Sequence, residues 1–165
     1  MMVATWLVVW TAALPVPSAV LVQRLPPGPD SATRARVMAV LKEVQDSLDR
    51  VRGAAYNFRT DLGGASPVVL YNRAQRMHGS CVAADAALVR LDSTVTASYP
   101  AGAPADLRRE TRALRAALTT CRREYDTTVR WQERADSVRA WAPFRLRRLD
   151  EAMRRFVQAA VVPRH

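Results

Sequence analysis

Cys81 and Cys121 are the residues in this chain whose chemistry is easiest to anticipate, because they are its only two cysteines and each falls on the apolar side of a helical repeat. An even count in an exported protein reads as a disulfide. The small neighbours Gly79, Ser80, Ala83, Ala84, Ala117 and Thr120 would let two backbones approach to the roughly 5.5 to 6 Å that a bridge needs. Such a bridge closes a loop of about 40 residues, for which chain entropy gives roughly 4 kcal/mol. Two other readings stand beside it: a pair of reduced core thiols acting as small apolar side chains, and a redox-active pair, which would want exposure or a CxxC spacing that the chain lacks.

Other reactive groups are sparse. His78 adjoins the apolar position Met77, and His165 ends the sequence. A haem gripped between His78 and Met153 fails on register, since Met153 falls level with Tyr71, about 10 Å along the helix axis from His78. Neither histidine follows a glutamate at the Glu-x-x-His spacing of carboxylate-bridged metal sites. The Gly63-Gly64-Ala65-Ser66 stretch lacks the lysine and the preceding strand of a phosphate loop. Nothing places a nucleophile beside a base. The expectation is a protein that is not an enzyme and has no catalytic residue, cofactor or metal.

The arginines are the remaining chemical feature. The chain carries a formal charge of +10, and 24 of its 25 basic residues are arginine, Lys42 being the exception. Residues 101–165 hold 15 basic and 8 acidic side chains, against 9 and 6 in residues 31–100. Arg145, Arg147, Arg148, Arg154 and Arg155 therefore form a candidate contact for an anionic surface such as phospholipid, lipopolysaccharide or acidic polymer, one that salt would weaken. The plainer alternative is a solvated helix face laced by Asp150 with Arg154 and Glu151 with Arg155. Trp131 and Trp141 could join that face, although large aromatics at a bundle corner more often pack. Export makes nucleic acid a poor partner despite the charge.

The elements that must position these groups are helical. From Ser31, apolar residues recur at alternating steps of four and three through Val37, Leu41, Val44, Leu48, Val51, Ala55, Phe58 and Leu62. Gly63 and Gly64 are expected to supply a left-handed cap, and Ser66-Pro67 an N-cap and first helical residue. A second seam runs from Leu70 through Cys81 to Val95, and a third helix starts at Asp106, its seam running from Leu107 through Cys121 and Thr128 toward Trp131, Ala135 and Val138. Pro143 is expected to end that third helix and open a shorter fourth, with seam Leu146, Leu149, Met153, Phe156 and Ala160.

In an antiparallel hairpin, facing residues have position numbers with a constant sum. Val95 with Leu107, Leu88 with Leu114 and Cys81 with Cys121 share the sum 202, and the first two helices pair near 128 or 129, as in Phe58 with Leu70. Folding back about Ala142 would bring Val138 near Leu146, Ala135 near Leu149 and Trp131 near Met153. The fold expected is all-α: an antiparallel up-down-up-down helical bundle with three long helices, a shorter fourth and coiled-coil-like seams, filling residues 31–162 as one domain. Short loops favour pairing within the chain, and apolar surface left uncovered by the last helix keeps a homodimer open.

Residues 1–22 carry no charged side chain and include Trp6-Leu7-Val8-Val9-Trp10, the pattern of a secretory signal over residues 1–19, or of a membrane anchor where it is left uncleaved. Residues 20–30, with Pro26-Pro27-Gly28-Pro29, read as a tether. The reading overall is an exported, periplasmic or secreted bundle that meets a protein or an anionic envelope surface. The alternative is a carrier of a small ligand or cofactor that uses the interior around Met77, Tyr125 and Phe156.

Overall fold

The computed structural model of the chain describes residues 30–99, 103–127 and 135–161. They form four helices: α1 (Ser31–Asp61), α2 (Pro67–Ser98), α3 (Ala105–Glu124) and α4 (Ala135–Val161), and none of the described residues lies in a strand. Consecutive helices pack on each other, and α4 returns to touch α1, so the expected all-α bundle is present. The sequence segments assigned to signal and tether, together with Thr128, Trp131 and His165, lie outside the described residues, Asp30 excepted.

Each seam is buried for the reason its spacing suggests. Steps of four and three keep one stripe of a helix facing its neighbours. Val37, Leu41, Val44, Leu48, Val51 and Phe58 of α1 meet Leu70, Met77, Leu88 and Leu91 of α2 in a common core with Leu114 and Leu118 of α3. Local chemistry starts the first two helices. Asp30 accepts a hydrogen bond from the Thr33 amide at 2.6 Å, which holds its carboxyl below the usual aspartate range, and Ser66 accepts from Val69 with Pro67 at the first helical position.

Three expectations need correction. Neither Gly63 nor Gly64 is left-handed; α1 instead ends in a tightened right-handed turn, with Leu62 donating to the Arg59 carbonyl at 3.3 Å and Ala65 to the Asp61 carbonyl at 3.0 Å. The glycines end the helix as poor helix formers, not through positive φ. Second, α3 stops at Glu124 and not at Pro143. The signal was in the spacing: Tyr125, Thr128 and Trp131 make two successive steps of three, so the stripe slips off its face there. Third, Pro143 lies inside α4, so Val138 and Leu146 sit two turns apart on one helix and do not face each other. The helix passes through because Pro143 is on the exposed side, where water replaces the lost donor and any bend leaves the proline outermost. Lengths shift accordingly: α4 has 27 residues and α3 has 20.

Candidate functional site

Cys81 and Cys121 form a disulfide with their α-carbons 6.3 Å apart, joining α2 to α3 at the level the register gave. Both residues are buried. An attacking thiolate needs access to a sulfur, so this bridge is built to hold rather than to exchange. One turn away His78 lies 2.9 Å from the Arg122 carbonyl. A carbonyl only accepts, so His78 donates through Nδ1, and it satisfies one of the last carbonyls of α3. Asp85 adds a further tie, with Arg122 Nη1 at 3.0 Å and Arg115 Nε at 3.5 Å. His78 is thus a boundary residue that caps a neighbouring helix, a role set by the end of α3 at Glu124 beside it.

The structure divides the five candidate arginines, all of them on α4, into two sorts. Arg145 pairs with Glu124 at 3.1 Å, Arg155 with Glu110 at 3.5 Å and Arg154 with Asp150 at 3.5 Å. The expected pair of Glu151 with Arg155 is not the one formed. Glu110 is far more enclosed than a residue on the solvent face, and attraction is stronger where water is thinner, so Arg155 turns toward α3. Arg147 and Arg148 have no carboxylate within ion-pair distance among the described residues; their guanidinium carbons lie 5.7 and 5.6 Å from the centre of the Phe144 ring. Phe144 is 49% exposed.

That aromatic was missed in the sequence, where Trp131 and Trp141 drew the attention. Trp141 instead packs edge-on against Tyr125 at 5.6 Å, and Tyr125 against Phe58 at 5.0 Å. Phe144 sits opposite the stripe formed by Ala142, Leu146 and Leu149, so its outward placement follows from the helical period once α4 is continuous through Pro143. Exposed phenylalanine flanked by two arginines that have no carboxylate partner among the described residues offers an apolar wedge and two cations on one patch.

Beside this patch, α3 and α4 enclose a groove of about 270 Å³, floored by Ala113, Ala117, Leu149 and Ala152 and edged by Arg145, Arg148 and Arg155. Glu124 lies at one end. Burial pushes its carboxyl above the usual glutamate range, against the pull of Arg145 and Arg123. Of the residues named for an interior ligand, Met77, Tyr125 and Phe156 are all buried, and only Tyr125 borders this groove. The Tyr125 hydroxyl is buried without a hydrogen-bond partner, and burial raises its pKa. Among the described residues no group of three or more His, Cys, Asp or Glu side chains comes together as a metal cage, and no helix is long and apolar enough to cross a membrane. No family model, curated protein or solved structure matches the chain.

Proposed function

We propose that this chain is an exported, disulfide-stapled bundle that acts without catalysis, by resting the Phe144, Arg147 and Arg148 patch of α4 on an anionic envelope surface such as phospholipid or lipopolysaccharide. The observation that carries the reading is the pair of guanidinium groups around a half-exposed phenyl ring, with no carboxylate in ion-pair distance among the described residues. Exposed rings enter the headgroup boundary, while arginines meet the phosphates. Export is supported by the disulfide, which persists in oxidising compartments, and by the uncharged apolar segment at residues 1–22.

The test is co-sedimentation with vesicles of phosphatidylglycerol in phosphatidylcholine, against phosphatidylcholine alone and against lipopolysaccharide micelles. Binding to the anionic surfaces is expected at about 50 mM salt and should fade toward about 300 mM. With about 1 kcal/mol for each arginine near such a surface, Arg147→Ala with Arg148→Ala should weaken it roughly thirtyfold. Equal retention of this double variant and the wild type would sink the proposal.

A further inference from the structure

The outward face of α2 carries a second heptad row that is exposed along its whole length, with local side-chain bonds within α2 from Gln75 to Tyr71 and from Ser93 to the Arg90 carbonyl. Val68, Asn72, Gln75, Gly79, Val82, Ala86, Val89, Ser93 and Thr96 follow one another at alternating steps of four and three, and all nine are exposed. None is charged. The corresponding outward rows of the other helices all carry charge: Lys42, Asp46 and Asp49 on α1, Arg109, Arg112 and Arg123 on α3, Arg147, Glu151 and Arg154 on α4. The α2 row is about 42 Å long at the helical rise, or four heptads.

We infer that this row is the interface of a parallel, two-fold dimer in which the α2 helices of two copies form a coiled coil. The inference is independent of the surface reading for α4. A chain of formal charge +10 repels its own copy over most of its surface, and the α2 row is where two copies can meet without like charges in contact. The row is also complementary to itself. With Val68, Gln75, Val82 and Val89 at the d positions, the a positions fall on Asn72, Gly79, Ala86 and Ser93, small enough for close helix approach. A Cβ added at Gly79 would meet nothing within 4 Å, so the space is open in the monomer. Asn72 meets Asn72 of the second copy, and a single asparagine at an a position fixes register and two-stranded pairing.

The edges of the row set the direction. One edge carries Asp85 and Asp92, the other Arg76 and Arg90. In a parallel pair each edge faces the opposite edge of the other copy, five residues further along, which sets Asp85 against Arg90 twice by symmetry. An antiparallel pair would place Arg76 against Arg90. Both members of the parallel contact are already drawn into pairs within the chain, Arg90 with Glu43 and Asp85 with Arg122, so the contact extends an alternating chain of charges.

Sedimentation velocity of the oxidised chain, over two decades of concentration, reads the outcome. Wild type is expected to sediment as a dimer. Val82→Glu with Val89→Glu buries four carboxylates in the seam and should raise the dissociation constant about a hundredfold or more while helix content by circular dichroism is unchanged. Ala86→Cys should cross-link to itself on mild oxidation, as should Ser93→Cys, since both lie at self-facing positions of a parallel pair. A monomer at every concentration, a dimer undisturbed by the paired glutamates, or failure of both cysteines to cross-link would each overturn the inference.

Discussion

The two hairpins of this bundle obey the same heptad rule, yet they are built differently. In the α1 and α2 hairpin both helices begin on a side-chain cap, Asp30 and Ser66, and the loop between them is closed by its own backbone hydrogen bonds. In the α3 and α4 hairpin α3 begins at Pro104 with no side-chain cap, α4 carries Pro143 in its interior, and Tyr125 buries a hydroxyl without a partner. The second hairpin has its own pairs, Arg145 with Glu124 and Arg155 with Glu110, and is also held from outside. The disulfide, the His78 donation to Arg122, the pair of Arg122 with Asp85, and Arg139, which donates to the Leu62 and Ala65 carbonyls at 3.2 and 3.0 Å, all run from the first hairpin to the second. The second hairpin thus leans on ties to the first, and it bears most of the excess charge.

Removing the disulfide gives the largest expected effect. Cys81→Ser with Cys121→Ser should cost about 4 kcal/mol by the chain-entropy estimate, lowering the melting temperature by roughly 10 to 20 °C. Hydrogen exchange should lose most protection in α3 and α4 and least in α1. Equal losses in both hairpins would break the contrast. A second variant narrows it from the other side. Pro143→Ala restores the missing donor to the Arg139 carbonyl, and on an exposed face it should stabilise by about 1 to 3 kcal/mol in urea unfolding, with slower exchange confined to α4.

Much of this contrast is legible in the sequence. The α1 and α2 seams, the cap at Ser66 and the shared height of the two sulfurs follow from spacing alone, because helical period and antiparallel register are properties of position numbers. Other features were not legible, for identifiable reasons. Pro143 looked like a stop because propensity treats every helix interior alike, and only burial shows that its side faces water. Trp131 follows Thr128 by a second successive step of three, which carries the seam off its face. At the candidate surface, five arginines looked equivalent in sequence; Glu110 and Glu124, on another helix, separated them. The uncharged row of α2 was fully present in the sequence and was masked by the stronger apolar row beside it.

Tyr125 offers a smaller probe of the same difference. Its ring is held edge-on between Phe58 and Trp141, so Tyr125→Phe keeps the packing and deletes only the orphaned hydroxyl. A buried polar group without a partner costs roughly 1 to 3 kcal/mol, and the variant should recover about 1 kcal/mol of that as a raised urea midpoint. A fall of similar size would mean that the hydroxyl is bonded in solution and that the second hairpin is better satisfied than its geometry shows.

Glu124 carries the smallest effect, and its sign decides whether burial or cations govern the α3 and α4 groove. Burial raises its carboxyl pKa in the fold, and Arg145 and Arg123 only partly oppose this. A carboxyl with a raised folded pKa binds its proton more tightly in the native state than in the unfolded chain. Its contribution is therefore most favourable below the unfolded pKa, falls as pH climbs through the interval up to the folded pKa, and is constant above it. Glu124→Gln removes that slope. Urea midpoints measured from acid to neutral pH should show the wild type losing ground to the variant across this window, on the order of a few tenths of a kcal/mol, because the side chain is partly open to solvent that screens it. If the wild type gains on the variant instead, the pairing with Arg145 outweighs the lost hydration, and the groove is a cation-dominated site rather than an apolar one with charges at its edge.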